Sequence, residues 1–221
     1  MQMPASPQGH FERLIDRYTG ATALQYDARR TGTLKWQIEQ AIVERLLGTL
    51  PEGASVVDIP VGTGRFLPLY RKLGLAATGM DVSADMLARA REKGAGLPLR
   101  LSDIRHIAAA DGEYDCALCI RFLNWVDDDG FRAAVRELAR VSRRDVIVGV
   151  RSYAPLSRLT LRRRIRQQWA RWQPSAAGAL VVHDHAVVLD AFRRAHLAIE
   201  STSLIERSPD GTDYEVFHLR R

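Results

Sequence analysis

From Ser55 onward the chain alternates short apolar runs with helical patterns, and no other feature narrows the possible folds as much. SVVDIP is followed by RFLPLYRKL, ATGMD, SADMLARAREK and LPLRLSD, and the pattern continues through YDCALCIRF, GFRAAVRELARVS and DVIVGVR. Strands alternating with helices read as βαβ units, which set strands side by side in a parallel sheet and lay the crossover helices on its faces. Downstream come a helix in HAVVLDAFRRAH, a strand near LAIESTSLIE, a turn at Ser208-Pro209-Asp210-Gly211 and a last strand in TDYEVFHLR. That turn is short enough for an antiparallel hairpin. The expected fold is α/β, a doubly wound Rossmann-like sheet of seven strands, mostly parallel with a terminal antiparallel hairpin strand.

A chain of 221 residues fits one such domain and leaves no room for a second with a linker. Within it we expect an N-terminal helical cap over about 10–50, built from helices at His10–Thr19 and Leu34–Leu50. A core over about 53–152, a basic helical insertion over about 153–180, and a C-terminal helix and hairpin over 181–221 complete the reading. With 46% apolar and 26% charged residues the chain is neither disordered nor fibrous. No apolar run approaches the roughly 20 residues of a membrane span, and MQMPASPQGHFER lacks the apolar centre of a secretory signal, so a cytoplasmic protein is expected. Cys116 and Cys119 lie three apart on one expected strand and point to opposite faces, which suits buried thiols and not a shared metal. No metal site is expected.

In an open parallel sheet, ligands bind beyond the carboxyl ends of the strands where the strand order reverses. Three successive strands deliver a carboxylate there. The first ends in Asp58-Ile59-Pro60-Val61-Gly62-Thr63-Gly64, whose glycines let the backbone approach a ligand at the start of a helix. The second ends in Asp81, 17 residues after Gly64, where an acid can accept both hydrogen bonds of a ribose diol. The third ends in Leu101-Ser102-Asp103-Ile104, an acceptor beside an apolar side chain. Each acid also has a plainer reading, as a turn residue, a helix cap or a strand end.

Taken together, residues 53 to 152 resemble the core of the class I S-adenosylmethionine-dependent methyltransferases. VVDIPVGTGRF is similar to that family's glycine motif, GMDVSADMLARARE to its second motif and LSDI to its adenine motif. The resemblance implies S-adenosylmethionine as cofactor and S-adenosylhomocysteine as product. It implies that Gly62 and Gly64 line the methionine moiety, that Asp58 orders the loop and faces the methionine amino group, and that Asp81 holds the ribose. Met86 would flank the adenine, with Asp103 and Ile104 contacting it. Pro60 stands where the family usually has the first glycine; its ring fixes φ and removes an N–H, though its carbonyl can still accept a hydrogen bond. A dinucleotide fingerprint would want Gly or Ala at position 67, where this chain has Leu67.

The fourth strand runs into Arg121-Phe122-Leu123-Asn124-Trp125, where related small-molecule methyltransferases contact the sulfonium and the acceptor. We place Arg121 with the cofactor and Asn124 and Trp125 with the substrate. Asn124 occupies a position that often carries His in such enzymes, and a carboxamide cannot serve as a base. Tyr153, past the fifth strand, is a further pocket candidate. His183 and His185 read most simply as the cap and first turn of a helix. Arg30, in YDARR, resembles the segment that closes over the cofactor. No catalytic base is assigned.

Residues 146 to 183 hold seven arginines and no Asp or Glu, so the net charge of +6 belongs to that segment and the rest of the chain is near neutral. In LTLRRRIRQQWARW the residues 161, 165, 169 and 172 share one helical stripe and the arginines fall elsewhere. Such a helix reads as a lid for an anionic substrate, with Arg162 a substrate candidate, as a contact for an anionic membrane through 158–172, or as a solvated arginine face over a packed stripe. The expected function is methyl transfer to a small molecule, with anionic or lipid-linked acceptors fitting best. An RNA-directed methyltransferase and a catalytically silent cofactor-binding protein are the alternatives. Nucleic acid is disfavoured because RFLNW lacks the Asn/Asp-Pro-Pro-aromatic motif and no Pro-Cys motif appears.

Overall fold

The computed structural model describes residues 32–94, 96–156, 160–172 and 180–221. Arg30 and the expected helix at His10–Thr19 lie outside the described residues. The first described element is α1 (Leu34–Leu47), started by Thr33, whose Oγ1 accepts from the Trp36 N–H at 3.3 Å. Then follow β1 (Ser55–Asp58), α2 (Leu67–Lys72), β2 (Ala76–Asp81), α3 (Ala84–Gly94), β3 (Leu99–Leu101) and β4 (Tyr114–Cys119). A 3-10 turn at Leu123–Trp125 leads into α4 (Asp128–Val141), whose N-cap Asp127 accepts from the Gly130 N–H at 2.8 Å. Asp128 and Asp129 in its first turn complement the helix dipole. The chain closes with β5 (Ser142–Tyr153), α5 (Leu161–Trp172), β6 (His183–Asp184), α6 (His185–Arg194), β7 (Ala198–Arg207) and β8 (Thr212–Arg220).

The sheet order is β3-β2-β1-β4-β5-β8-β7. The five strands from β3 to β5 are parallel, and β8 runs antiparallel between β5 and β7. This is the expected architecture with one addition, the two-residue β6, which pairs with the end of β5 through Ser152 and Tyr153. Two residues are too few to show a period, so periodicity could not reveal that strand.

The core has two halves, one on each face of the sheet. On one face Val57, Met80, Cys119 and Val148 pack under α4 and α6 with Phe131 and Phe192. On the other Val56, Cys116, Leu118 and Ile147 pack under α1, α2 and α3 with Leu47, Tyr70 and Ala90. Cys116 and Cys119 therefore do lie on opposite faces, both fully buried, and burial pushes both thiols well up. The strand order reverses between β1 and β4, which fixes where the carboxyl ends open a crevice.

Candidate active site

The crevice is built around the loop after β1. Gly62 (φ +55°) and Gly64 (φ +78°) both take left-handed backbone, for different reasons. A Cβ on Gly64 would sit 2.5 Å from Leu67 Cδ1 and 3.1 Å from Ala90 Cα, so this glycine lets α2 pack against α3. A Cβ on Gly62 would meet nothing within 4 Å; the space beside it is open. The peptide before Pro60 is cis, and beyond it the Gly62 N–H donates to Asp81 Oδ2 at 2.9 Å. The Ser83 N–H donates to Asp81 Oδ1 at 2.9 Å. Both Asp81 oxygens thus hold backbone donors, and a carboxylate has acceptor capacity beyond them. Burial raises the Asp81 carboxyl, an effect moderated by these backbone N–H groups.

Asp58 ends β1 at 2% exposure, and its Oδ2 has no hydrogen-bond partner. The Tyr70 hydroxyl lies near it without an aligned hydrogen bond and is likewise unpaired. Burial pushes the Asp58 carboxyl up to about 7; the Tyr70 hydroxyl opposes that shift, the Asp81 charge adds to it and Arg65 opposes it. A buried carboxyl beside an open stretch of backbone leaves an acceptor that a ligand donor can fill.

Asp58 and Gly62 line a cleft of about 60 Å³, closed on the other side by Trp36, Arg65 and Arg121. Its far wall hangs on Glu39, which is fully buried on α1. Glu39 accepts from Arg65 Nη1, from Arg121 Nε at 2.7 Å and from the Tyr214 hydroxyl at 2.7 Å. Arg65 also donates to the Trp36 carbonyl at 2.7 Å, and its guanidinium lies 4.5 Å from the Trp36 ring centre. Arg121 stands in left-handed backbone (φ +62°), a conformation that costs a non-glycine residue, and its buried Nη2 has no partner.

Arg121 also lines a second cleft, of about 290 Å³, with Lys35, Asn124, Trp125, Arg151 and Tyr214. Lys35 pairs with Glu206 at 2.6 Å, and Arg151 pairs with the same carboxylate while donating to Ser208 Oγ at 2.7 Å and Thr212 Oγ1 at 3.0 Å. Burial raises the Glu206 carboxyl, but Lys35 and Arg151 more than offset it and hold it below the usual range. Burial and Glu39 keep the Tyr214 phenol well above its usual value, so it stays protonated.

The sequence-derived residues separate on this map. Asp58, Gly62 and Arg121 meet at the first cleft, with Asp81 tied to Gly62. Met86 and Ile104 are buried at 3% each near the same sheet edge, Ile104 within the core. Asp103 is folded back on Arg105, whose Nε and Nη2 bind its two oxygens at 3.1 and 2.7 Å. Burial raises the Asp103 carboxyl, and Arg105 brings it below the usual range.

Asn124 reaches the second cleft, and its carboxamide is committed to backbone. It accepts from the Arg151 N–H at 2.7 Å and donates to the Arg151 and Val181 carbonyls at 2.7 Å each, which makes it a clamp and not a free substrate contact. Trp125 does line the cleft. Tyr153 and Arg162 line neither cleft, because Tyr153 is at the pairing end of β5 and Arg162 is exposed on α5. His183 bonds Asp128 at 2.7 Å and the Leu123 carbonyl at 2.9 Å, a structural tie at the helix start. Among the described residues no three His, Cys, Asp or Glu side chains are grouped to hold a metal.

Glu39, Arg65, Arg151 and Tyr214 escaped the sequence reading. One signal was available for Glu39: it stands four residues before Val43 and seven before Leu46, on the apolar stripe of its helix, where an acid needs buried partners.

Comparison with known proteins places this geometry. Residues 57–149 match the sequence model of a methyltransferase domain family. The malonyl-[acyl-carrier protein] O-methyltransferase of Pectobacterium atrosepticum is 33% identical over 137 residues, covering 61% of this chain and 52% of the relative. The phosphatidylethanolamine N-methyltransferase of Cereibacter sphaeroides is 39% identical over 98 residues, covering 42% of this chain and 47% of the relative. The chain therefore spans about half the length of the curated relatives it matches. Magnesium protoporphyrin IX methyltransferase from Synechocystis PCC 6803, solved with bound S-adenosylmethionine, shares the fold over the full length of both chains at a TM-score of 0.70 and 15% identity. The glycine loop, the acidic strand ends, the methyltransferase domain matched over residues 57–149 and these relatives together support a class I S-adenosylmethionine-dependent methyltransferase.

Proposed function

We propose that this chain transfers a methyl group from S-adenosylmethionine to a carboxylate oxygen of a small, partly apolar acceptor bound in the second cleft. The observation that carries the reading is the pair of adjoining clefts sharing Arg121, one built for a cationic donor and a backbone-facing ligand, the other cationic and aromatic.

The first cleft, too small for the whole cofactor, suits its amino-acid end, with the nucleoside lying along the neighbouring strand ends. The incomplete Asp58 carboxylate suits its ammonium group, Gly62 leaves room for its backbone approach, and Asp81 at the neighbouring strand end has lone pairs for a ribose diol. The cofactor supplies a methyl group on a sulfonium sulfur, open to direct displacement.

The protein's task is then to hold the nucleophile in line and keep water out. Arg151 and Lys35 neutralise an incoming anion, while Trp125 and the Tyr214 ring give it an apolar wall. Among the described lining residues none is placed to take a proton: Tyr214 stays protonated on Glu39, and Lys35 and Arg151 are paired cations. An acceptor that is already anionic at its reacting atom needs no such group, whereas an alcohol would. A carboxylate therefore suits this cleft better than an alcohol. Relatives whose names record acyl-carrier-linked and lipid acceptors are compatible with an apolar body on that anion.

The test combines calorimetry with S-adenosylhomocysteine and transfer of radiolabelled methyl from S-adenosylmethionine to a panel of carboxylates, alcohols and amines carrying matched apolar chains. Base-labile product from the carboxylates alone supports the reading. Transfer confined to amines or alcohols refutes the acceptor class, and absence of S-adenosylhomocysteine binding by the folded protein refutes the cofactor site.

A further inference from the structure

The basic amphipathic helix α5 is mounted on the domain by its polar side. Arg163 Nη2 donates to the Ser208 carbonyl at 2.8 Å and pairs with Asp213 at 3.3 Å. Gln167, 1% exposed, donates to the Ala154 and Gly211 carbonyls at 2.8 and 3.0 Å. Gly211 makes that approach possible, since a Cβ there would lie 2.7 Å from Gln167 Cβ. Residues 163 and 167 are one turn apart, so they define the docked face.

The opposite face carries the apolar stripe, and it faces outward. Leu161, Ile165 and Trp169 are 73%, 61% and 72% exposed, which disagrees with one of the three readings of this helix, a packed stripe under solvated arginines. At about 100° per residue Arg162 and Arg166 flank one side of that stripe and Arg164 the other, and all three are exposed. No acid occurs between residues 146 and 183. An outward apolar ridge between two basic margins has the cross-section of an interfacial helix: apolar groups enter the acyl boundary, Trp settles at the headgroups, and arginines reach lipid phosphates.

We propose that α5 docks this protein onto an anionic lipid surface, with Leu161, Ile165 and Trp169 inserted and Arg162, Arg164 and Arg166 on the headgroups. The choice of a lipid surface over an acidic protein rests on the coincidence of the two features on one helix. Charge alone would suit either partner, but a ridge of Leu, Ile and Trp with cations on both margins is what a plane of phosphates above hydrocarbon complements. The same helix grips the Ser208–Gly211 turn, and Ser208 also binds Arg151 of the second cleft, so the docked surface lies one hydrogen-bond link from the acceptor site. The proposal concerns location and stands apart from the methyl-transfer chemistry.

Co-sedimentation of the full chain with phosphatidylcholine vesicles, with and without about one-third phosphatidylglycerol, tests it directly. Binding is expected only to the anionic vesicles, weakening as salt rises. Replacing Arg162, Arg164 and Arg166 with Gln should weaken binding about a hundredfold, and Leu161→Ser/Ile165→Ser/Trp169→Ser should abolish it. S-adenosylhomocysteine affinity and far-ultraviolet circular dichroism should be unchanged in both variants. In the wild type, comparison with Trp169→Phe should assign a blue-shifted, brominated-lipid-quenched emission to Trp169. Failure to sediment with anionic vesicles overturns the proposal, as does binding that survives both sets of substitutions. A Trp169 emission already blue-shifted without lipid, or a dimer that the Ser variant dissociates, would show the ridge covered by protein and equally overturn it.

Discussion

Replacing Asp58 by asparagine separates what the site costs the fold from what it does for the ligand. The folded protein holds the Asp58 proton up to about 7, while an unfolded chain releases it near the ordinary value of 3.8. Folding therefore takes up a proton between those values, and stability falls as pH rises through that window, by about 1.4 kcal/mol per unit from this group. Fully ionised, the buried carboxylate costs about 4 kcal/mol. A carboxamide does not reproduce every contact of the protonated acid, so the useful quantity is the change with pH, from which titrations common to both proteins cancel. Relative to wild type, Asp58→Asn should gain about 3 kcal/mol of stability between about pH 5 and pH 8. Urea unfolding at both pH values measures it, with the same slope m required in each protein. On the proposed cofactor placement, the same substitution removes the charged partner of the ammonium group and should weaken S-adenosylhomocysteine binding by about 10- to 100-fold. Wild-type affinity should itself fall about tenfold per unit below pH 7 as the carboxylate is protonated. A variant with a pH-independent stability difference, or with undiminished affinity, would refute the assignment of Asp58 as a strained, ligand-completed acid.

Gly64→Ala should destabilise by about 2–4 kcal/mol in urea melts, because it combines left-handed backbone with a clash against Leu67 and Ala90. Gly62→Ala meets no neighbour and should cost only about 1 kcal/mol, with its larger effect on S-adenosylhomocysteine affinity by calorimetry. Glu39→Gln leaves Arg65 and Arg121 facing each other without their shared anion and should cost about 3–5 kcal/mol by the same melts. Arg151→Met should raise KM for a carboxylate acceptor about tenfold or more while leaving cofactor affinity unchanged, which steady-state kinetics and calorimetry together decide.

The sheet was legible because its strands are short apolar runs ended by acids, a signal carried within a few residues. Asp58, Gly62 and Asp81 could be placed by the same local logic, and the structure brings them to one crevice edge. The far wall of that crevice was not legible: Glu39 meets Arg65, Arg121 and Tyr214 across separations of 26, 82 and 175 residues, which no local period records. Asn124 was found as a residue at the right strand end, but its role depends on which carbonyls surround it, and Val181 comes from 57 residues away. For α5 the period correctly gave an amphipathic helix and could not give its orientation. Periodicity identifies two faces; the hydrogen bonds of Arg163 and Gln167 decide which one is docked.

The antiparallel pair β7 and β8, with the turn between them, supplies Glu206, Ser208, Thr212 and Tyr214 to the second cleft or its cations, and all four lie beyond the residues 57–149 that match the family. On the proposed function, part of the acceptor wall thus comes from outside the matched domain, while Tyr214 also braces the first cleft through Glu39. On that reading, exchange of Glu206, Ser208 and Thr212 would alter the surroundings of Lys35 and Arg151 without touching the glycine loop, so acceptor preference should diverge among relatives faster than that loop does.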